Sequence, residues 1–321
     1  MNAPRFVDCR DVHAAGEAAA ELAAALVASP ARIAPKYFYD ALGARLFDAI
    51  TELPEYYPTR TEAAIVDARR DEIAAAVHGA VGRGATLVDL GAGDCAKAAA
   101  LFGALEPSRY VAVDIATAQL RAALARLQPA HPAIEMVGVG LDFSRRLALP
   151  DGLVERAALV FYPGSSIGNF APADALRLLR DARAAARGGA LLIGVDLVKP
   201  AGVLEAAYDD ALGVTAAFNL NVLRHVNRVL GADFDTRDWR HVARFDADAS
   251  RVEMHLEALR TLDVHWRGGR RRFEAGERIH TEDSYKWTPA GFAALLRDAG
   301  WRHVQPWCDE RGWFALMLAS G

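Results

Sequence analysis

Apolar positions change their spacing along the chain, and the changes mark its elements. From Ala85 onward, short and nearly continuous apolar runs alternate with amphipathic stretches. The runs at 85–90, 109–114, 134–140, 157–162 and 190–195 are too short for helices and read as strands buried on both faces. Residues 95–105, 116–127 and 172–187 carry the 3.6-residue spacing of helices. This alternation predicts an α/β fold, a parallel sheet with helices on both faces. Ahead of it, Leu42, Leu46, Phe47 and Ile50 mark a short helix. Thr59-Arg60-Thr61-Glu62 then reads as a capping box that opens a helix to about His78. After Asp196 the character shifts, and residues 201–231 look helical. From Val252 the even positions are Val, Met, Leu, Ala, Arg, Leu, Val and Trp, seven apolar of eight. That pattern predicts one half-buried antiparallel strand, which Gly268-Gly269 turns back toward Phe273. A helix follows from Pro289, with Thr288 as its cap and Gly300 as its stop. Runs at about 302–308 and 313–319 resemble a strand pair that completes the sheet.

Two modules are expected. Residues 62–196 and 287–321 carry the parallel sheet. Residues 12–61 and 197–286 form a smaller, discontinuous α+β module. An insert after the fifth strand emerges at the carboxyl edge of the sheet, where such folds bind ligands. The second module is therefore expected to act as a substrate lid. No internal repeat is evident.

The chemistry starts at Leu87-Val88-Asp89-Leu90-Gly91-Ala92-Gly93, answered by Tyr110-Val111-Ala112-Val113-Asp114. An apolar strand ends in a glycine turn, and the next strand ends in an acid 23 residues after Gly91. Gly91 and Gly93 let backbone approach a nucleoside-bearing ligand, and Asp114 can accept from two ribose hydroxyls. Nicotinamide and S-adenosylmethionine enzymes share this arrangement. Asp94 would stand where a pyrophosphate seeks the positive end of a helix. No second nucleotide-binding half follows Asp196. Both features favour the methyl donor, which has no phosphates, and leave the nicotinamide as the alternative. Asp142 could accept from an adenine amino group while Phe143 packs on the purine; a turn carboxylate beside a core ring fits the sequence equally well.

Composition narrows the class further. The 321 residues are 52% apolar and 24% charged, with 37 basic against 41 acidic side chains and a net charge of −4. That balance leaves no electrostatic footprint for nucleic acid. The one basic run, Arg267-Gly268-Gly269-Arg270-Arg271-Arg272, reads as a solvated hairpin tip. Cys9, Cys95 and Cys308 lie far apart without metal-ligand spacing, so neither a disulfide framework nor a metal site is expected. The Ala-rich stretch from Ala14 to Ala28, interrupted by Glu17 and Glu21, is too short and polar to span a membrane. With no secretory signal in view, a cytoplasmic protein without a membrane partner is expected, and a monomer is the default.

Two polar segments stand out elsewhere. Phe161-Tyr162-Pro163-Gly164-Ser165-Ser166-Ile167-Gly168-Asn169-Phe170 closes the fourth strand at the carboxyl edge. Asn169 there can hold an amine through its carbonyl or a carboxylate through its amide, or simply cap the helix at Pro172. In His280-Thr281-Glu282-Asp283-Ser284-Tyr285, a carboxylate and a hydroxyl two residues apart share a side if the chain is extended. They could bind a ring with two polar edges, or belong to a solvated loop. Tyr208-Asp209-Asp210, within a helical run, reads more readily as surface.

A resemblance covers nearly the whole length. Pro35-Lys36-Tyr37-Phe38-Tyr39-Asp40, the stretch Leu53–Glu62, Gly164-Ser165-Ser166-Ile167-Gly168-Asn169, the stretch Ala207–Asn219 and Thr281-Glu282-Asp283-Ser284 together resemble the L-histidine Nα-methyltransferase family of ergothioneine biosynthesis. The resemblance implies a Rossmann-like sheet, S-adenosyl-L-methionine as co-substrate, no metal, and trimethylation of the α-amine of L-histidine to hercynine. It implies cofactor contacts at Gly91, Lys97, Asp114, Asp142 and Phe143, with Gly93 in the same turn. It implies histidine contacts at Tyr56, Asn169, Tyr208, Glu282, Asp283 and Ser284, with Tyr39 nearby. Asn169 and Tyr208 are then assigned to the α-amino and carboxylate end. Glu282 and Ser284 are assigned to the imidazole nitrogens, Tyr56 to the face of the ring, and Tyr39 with Asn169 to the departing proton. The alternative acceptor is another amino acid or a tryptophan-derived amine. The family more usually has a small hydroxyl residue at position 94 and glycine at position 141; here they are Asp94 and Leu141.

Overall fold

A computed structural model describes residues 3–9 and 14–321. The expected start of the second module, at residue 12, lies outside them. In chain order the strands are β1 (Arg5–Asp8), β2 (Ala31–Arg32), β3 (Thr86–Leu90), β4 (Arg109–Asp114), β5 (Glu135–Gly140), β6 (Ala158–Tyr162), β7 (Ala190–Asp196), β8 (Trp239–Asp246), β9 (Arg251–Ala258), β10 (Leu262–Trp266), β11 (Gly269–Phe273), β12 (Arg278–Tyr285), β13 (His303–Cys308) and β14 (Phe314–Ser320). The chain divides into two compact units. One comprises Met1–Arg10, Arg60–Val198 and Trp287–Gly321; the other comprises Asp11–Thr59 and Lys199–Lys286.

The first unit is built on an eight-stranded sheet of order β1-β5-β4-β3-β6-β7-β14-β13. Strands β5, β4, β3, β6 and β7 are parallel, and β14 runs antiparallel between β7 and β13. The parallel strands read as continuous apolar runs because both faces are covered. Val88, Val111 and Val137 point into one core with the helices Pro172–Ala186 and Pro289–Asp298. Leu87, Tyr110 and Met136 point into another with the helices Tyr57–Val81 and Thr117–Leu127. Strand order reverses at β3, which pairs β4 on one side and β6 on the other, and this is where such sheets open a ligand crevice. The Lys199–Lys286 segment leaves and rejoins this unit at adjacent points. Val198 N–H donates to the Trp287 carbonyl at 3.0 Å, and Trp287 N–H donates to the Asp196 carbonyl at 3.1 Å.

The second unit holds a four-stranded sheet of order β2-β12-β9-β8 and the hairpin β10-β11. Its core gathers Leu22, Ile33, Phe38, Phe218, Val222, Met254, Leu256 and Phe273. Among the described residues no helix is long and apolar enough to cross a membrane.

Several expectations need correction. The helix expected over 201–231 is two, Ala201–Tyr208 and Val214–Leu230. Asp210 breaks it, because its carboxylate accepts from Val214 N–H at 3.0 Å and Thr215 N–H at 2.7 Å and so starts a new helix. The helix at 95–105 is two short turns, Ala96–Ala99 and Phe102–Leu105, joined by a tight i, i+3 bond from Leu101 to Ala98. The single strand from Val252 is β9 and β10 in different sheets. Between them Leu259 N–H bonds the Asp238 carbonyl and Arg260 pairs with the Asp238 carboxylate. Alternation alone cannot show such a change of partner. The Gly268 turn does bring Trp266 opposite Gly269. Finally, Thr59–Glu62 is no capping box: the helix already begins at Tyr57, and Glu62 points elsewhere. Edge strand β1 and strand β8 were not anticipated; neither carries a clear apolar face.

Candidate active site

The candidate residues fall into two groups, one in each unit. The first begins where β3 ends. Gly91 (φ 69°) and Gly93 (φ 54°) take the left-handed conformation that side chains disfavour. Gly91 and Ala92 N–H both donate to the Val113 carbonyl at 2.9 and 3.2 Å, folding the turn across the end of β4. The Asp114 carboxylate accepts from Gly93 N–H at 2.9 Å and from Ala116 N–H at 2.8 Å. One bond on each oxygen leaves lone pairs for further donors. Phe143 stands over the turn: a side-chain carbon placed on Gly91 would lie 3.8 Å from the tip of its ring. Its far side packs edge-on against Tyr162, with 5.7 Å between centroids. Asp142 accepts from the Ser144 N–H at 3.1 Å and from the Ser144 hydroxyl. Gly91, Gly93, Asp114 and Phe143 are thus brought together, with Asp142 next to the ring.

Asp94 and Cys95 have local structural explanations. Asp94 accepts from Ala96 N–H at 3.0 Å, which secures the first turn of the short helix. Cys95 is buried and takes φ 64°. Burial, with Asp89, Asp94 and Asp114 nearby, pushes its thiol up to about 12, which favours the neutral thiol and fits an apolar packing role. Beneath the turn lies Asp89, buried, with Tyr110 donating to it at 2.6 Å. Burial pushes this acid up to about 7, against the opposing Tyr110 bond.

Lys97 leads to a residue missed in the sequence. Its ammonium donates to Glu62 at 2.7 Å, and the other Glu62 oxygen accepts from Gly164 N–H at 2.9 Å. Glu62 is 4% exposed. It approaches so closely that any side chain at Gly194 would collide with it. One buried carboxylate therefore ties the turn after β3 to the loop after β6. That loop ends in the short turn Ser166–Asn169, with Asn169 half-buried at its end. No local signal distinguishes Glu62 from a helix-capping glutamate.

The second group is arranged by β12. A bulge between His280 and Glu282 shifts the alternation of the strand, and bulges re-aim side chains. Past it, Glu282, Ser284 and Lys286 share one face, with Glu282 opposite Met254 of the unit core. Asp283 and Tyr285 take the other face. There Asp283 bonds His280 at 3.0 Å and Arg251 at 3.1 Å, so the structure does not bring it together with Glu282 and Ser284. His280 and Arg251 hold its carboxyl below the usual range against the opposing effect of burial.

Tyr208, the last residue of its helix, donates to the Ser284 hydroxyl at 2.7 Å. Lys286, 3% exposed, donates to both oxygens, at 2.7 Å to Ser284 and 3.0 Å to Tyr208. Tyr208 and Ser284, assigned to opposite ends of the ligand on sequence, are directly bonded. Tyr56 meets Tyr208 edge-on at 6.5 Å, and Phe47 continues the row from Tyr56 to Tyr39 at 6.1 and 5.7 Å. His241 anchors the end of the Tyr208 helix: its Nε2 bonds the Tyr208 carbonyl at 2.8 Å and its Nδ1 meets the Asn219 amide at 2.8 Å. Burial holds this imidazole below the usual histidine range, in the neutral form that accepts from Asn219. Asp40 is structural. It caps the helix Ala41–Thr51 through Gly43 N–H at 2.7 Å and accepts from Asn221 at 2.8 Å.

The model of the family described as "Histidine-specific methyltransferase, SAM-dependent" matches residues 18–321. The chain belongs to this family. It is 43% identical to the Histidine N-alpha-methyltransferase of Mycolicibacterium smegmatis, over 93% of each chain. It is 41% identical to the protein of the same name from Mycobacterium tuberculosis, over 91% of each. The Ergothioneine biosynthesis protein 1 of Neurospora crassa is 29% identical over 91% of this chain, which spans 33% of that longer protein. Family membership settles the choice left open by the glycine turn: the α/β sheet is of the Rossmann-like methyltransferase kind, and the nicotinamide alternative falls. Asp94, set against a pyrophosphate in the sequence, is consistent with that outcome.

Proposed function

We propose that this protein transfers methyl groups from S-adenosyl-L-methionine to the α-amine of L-histidine, forming hercynine for ergothioneine biosynthesis. The family and the names of its relatives support that activity. The observation that carries the substrate is the face of β12, where Glu282 and Ser284 stand on one side with Tyr208 bonded to Ser284. A carboxylate accepts only, whereas a hydroxyl can donate. The pair matches a neutral imidazole, which has an N–H at one edge and a bare nitrogen at the other. An indole offers one N–H and no matching acceptor.

The donor turn fits an adenosyl group. The glycine turn leaves its backbone uncovered by side chains beside Phe143, and the Asp114 carboxylate keeps lone pairs for two ribose hydroxyls. When bound, the co-substrate supplies a methyl group activated by its sulfonium. Phe143 is assigned to the purine face, Asp142 to its amino group and Lys97 to the carboxylate end. Asn169 is proposed to orient the α-amine through its carboxamide oxygen. Because that oxygen carries no charge, it does not favour the ammonium form as a carboxylate would. Tyr39 is proposed to relay the departing proton, its phenol oxygen accepting it as its own hydrogen passes to solvent, and the row Tyr39–Phe47–Tyr56 offers ring faces to the growing quaternary cation.

The test is to incubate the protein with S-adenosyl-L-methionine and a panel of free amino acids and to read product masses. Histidine gaining three methyl groups is the expected result. Methylated tryptophan without methylated histidine would overturn the substrate.

A further inference from the structure

We propose that Lys286 is a specificity-determining positioning residue that fixes the Ser284 hydroxyl as a hydrogen-bond donor toward the ligand ring. The inference rests on the reading that the histidine imidazole meets Glu282 and Ser284. Those two residues do not by themselves select a ring, because a serine hydroxyl rotates and can either donate or accept. Left free, it would serve a ring with two N–H groups as well as a ring with one.

The buried ammonium removes that freedom. An ammonium only donates, so at 2.7 Å the Ser284 oxygen must accept from Lys286. Tyr208 accepts from the same ammonium at 3.0 Å and passes its own proton to Ser284 at 2.7 Å. Both lone pairs of Ser284 are then occupied, and only its O–H remains to offer a ligand. Glu282 accepts and Ser284 donates, which specifies a ring with one N–H and one bare nitrogen. Lys286 needs compensation for its burial, and finds it in these two oxygens and in the Tyr208 ring, 4.8 Å from its nitrogen to the centroid. The period of a strand puts positions 282, 284 and 286 on one side. Lys286 therefore extends the pair into a triad that the resemblance does not assign.

The decisive experiment uses the full chain, with histidine and β-(2-thienyl)alanine as acceptors. The thiophene ring matches imidazole in size but has no N–H and no nitrogen acceptor. Lys286→Met is expected to lower kcat/KM for histidine by about tenfold, mostly through KM, the scale of one hydrogen bond made by a charged group. Thienylalanine should change by less than about twofold, since no ring hydrogen bond is at stake. Ser284→Ala should show the same selective loss, and adding Lys286→Met to it should cost histidine nothing more. Equal losses on both acceptors, or additive losses in the double variant, would reduce Lys286 to a structural cation. If circular dichroism shows Lys286→Met unfolded, Lys286→Leu, which likewise has no N–H donor, carries the same test; its loss must again be confined to histidine. A wild-type protein without preference for histidine overturns the underlying substrate reading, whereas a preference retained in Lys286→Met overturns only this inference.

Discussion

Gly91, Gly93 and Asp114, the residues proposed for the methyl donor, lie where backbone is exposed at the ends of two adjacent strands. Glu282, Ser284, Tyr208 and Lys286, the cluster proposed for the acceptor, would act through side chains, and Lys286 meets Tyr208 across 78 positions of sequence. The donor group is a product of local chain geometry: a turn, a strand end and a carboxylate that bonds N–H groups within a few residues of both. The acceptor group exists only because a bulged strand, a helix end and an aromatic row are folded together within one unit. A nucleoside is a common ligand that backbone can serve. Telling one amino-acid ring from another requires donors and acceptors fixed in direction, which only packed side chains provide.

The comparison can be broken at either end. Asp114→Ala should have the largest effect. It removes a carboxylate that accepts from Gly93 and Ala116 and is assigned two ribose hydroxyls, at about 1.5–3 kcal/mol for each bond to a charged group. Co-substrate affinity is expected to fall by roughly a hundredfold or more, read by calorimetry, while histidine binding changes little. Glu282→Ala should do the reverse. A loss of about ten- to a hundredfold in histidine affinity is expected with donor binding nearly intact; equal loss of both ligands, or no loss, would refute its assignment to the ring.

Glu62→Gln sharpens the comparison within the donor group. The amide keeps an oxygen for Gly164 N–H but loses the charge facing Lys97. The KM for the co-substrate should rise several-fold, roughly the value of one partly buried ion pair, with melting temperature nearly unchanged. An unchanged KM would leave Glu62 a purely structural link.

The smallest effect on the reaction is expected at Asp89, and it appears as a pH dependence of stability. Burial raises this acid from 3.8 to about 7, so the folded protein holds a proton that the unfolded chain releases. Its stabilising contribution is full below about pH 4 and falls as pH rises toward 7. Beyond that it adds a constant penalty of at most a few kcal/mol. Asp89→Asn, which cannot ionise, should gain on the wild type as pH climbs from about 4 to 7 in parallel denaturant titrations. A difference that does not change with pH would show that Asp89 is not protonated in the fold.

Much of the sheet was legible because β3 to β7 are buried on both faces and announce themselves as apolar runs. The glycine turn and Asp114 were legible for the same local reason. Glu62 was misread because a glutamate three residues after a threonine also fits a capping box, and its partners lie 35 and 102 positions away. Lys286 was passed over because the motif was taken to stop at Ser284. Asp283, placed with its neighbours by sequence, faces the other way because successive side chains of a strand point to opposite faces, and the bulge before Glu282 puts it on the side of His280.

The sequence by itself determined the alternation of β3 to β7 with their helices, the glycine turn with its acid, and the family. These follow from burial patterns and contiguous motifs, which depend on neighbours along the chain. Tertiary structure alone decided that Glu62 joins two loops, that Asp94 secures the first turn of a short helix beside a buried Cys95, and that Tyr208, Ser284 and Lys286 form one hydrogen-bonded cluster. Hydrogen bonds depend on direction and on distances of about 3 Å, and no pattern along the chain encodes those between segments far apart.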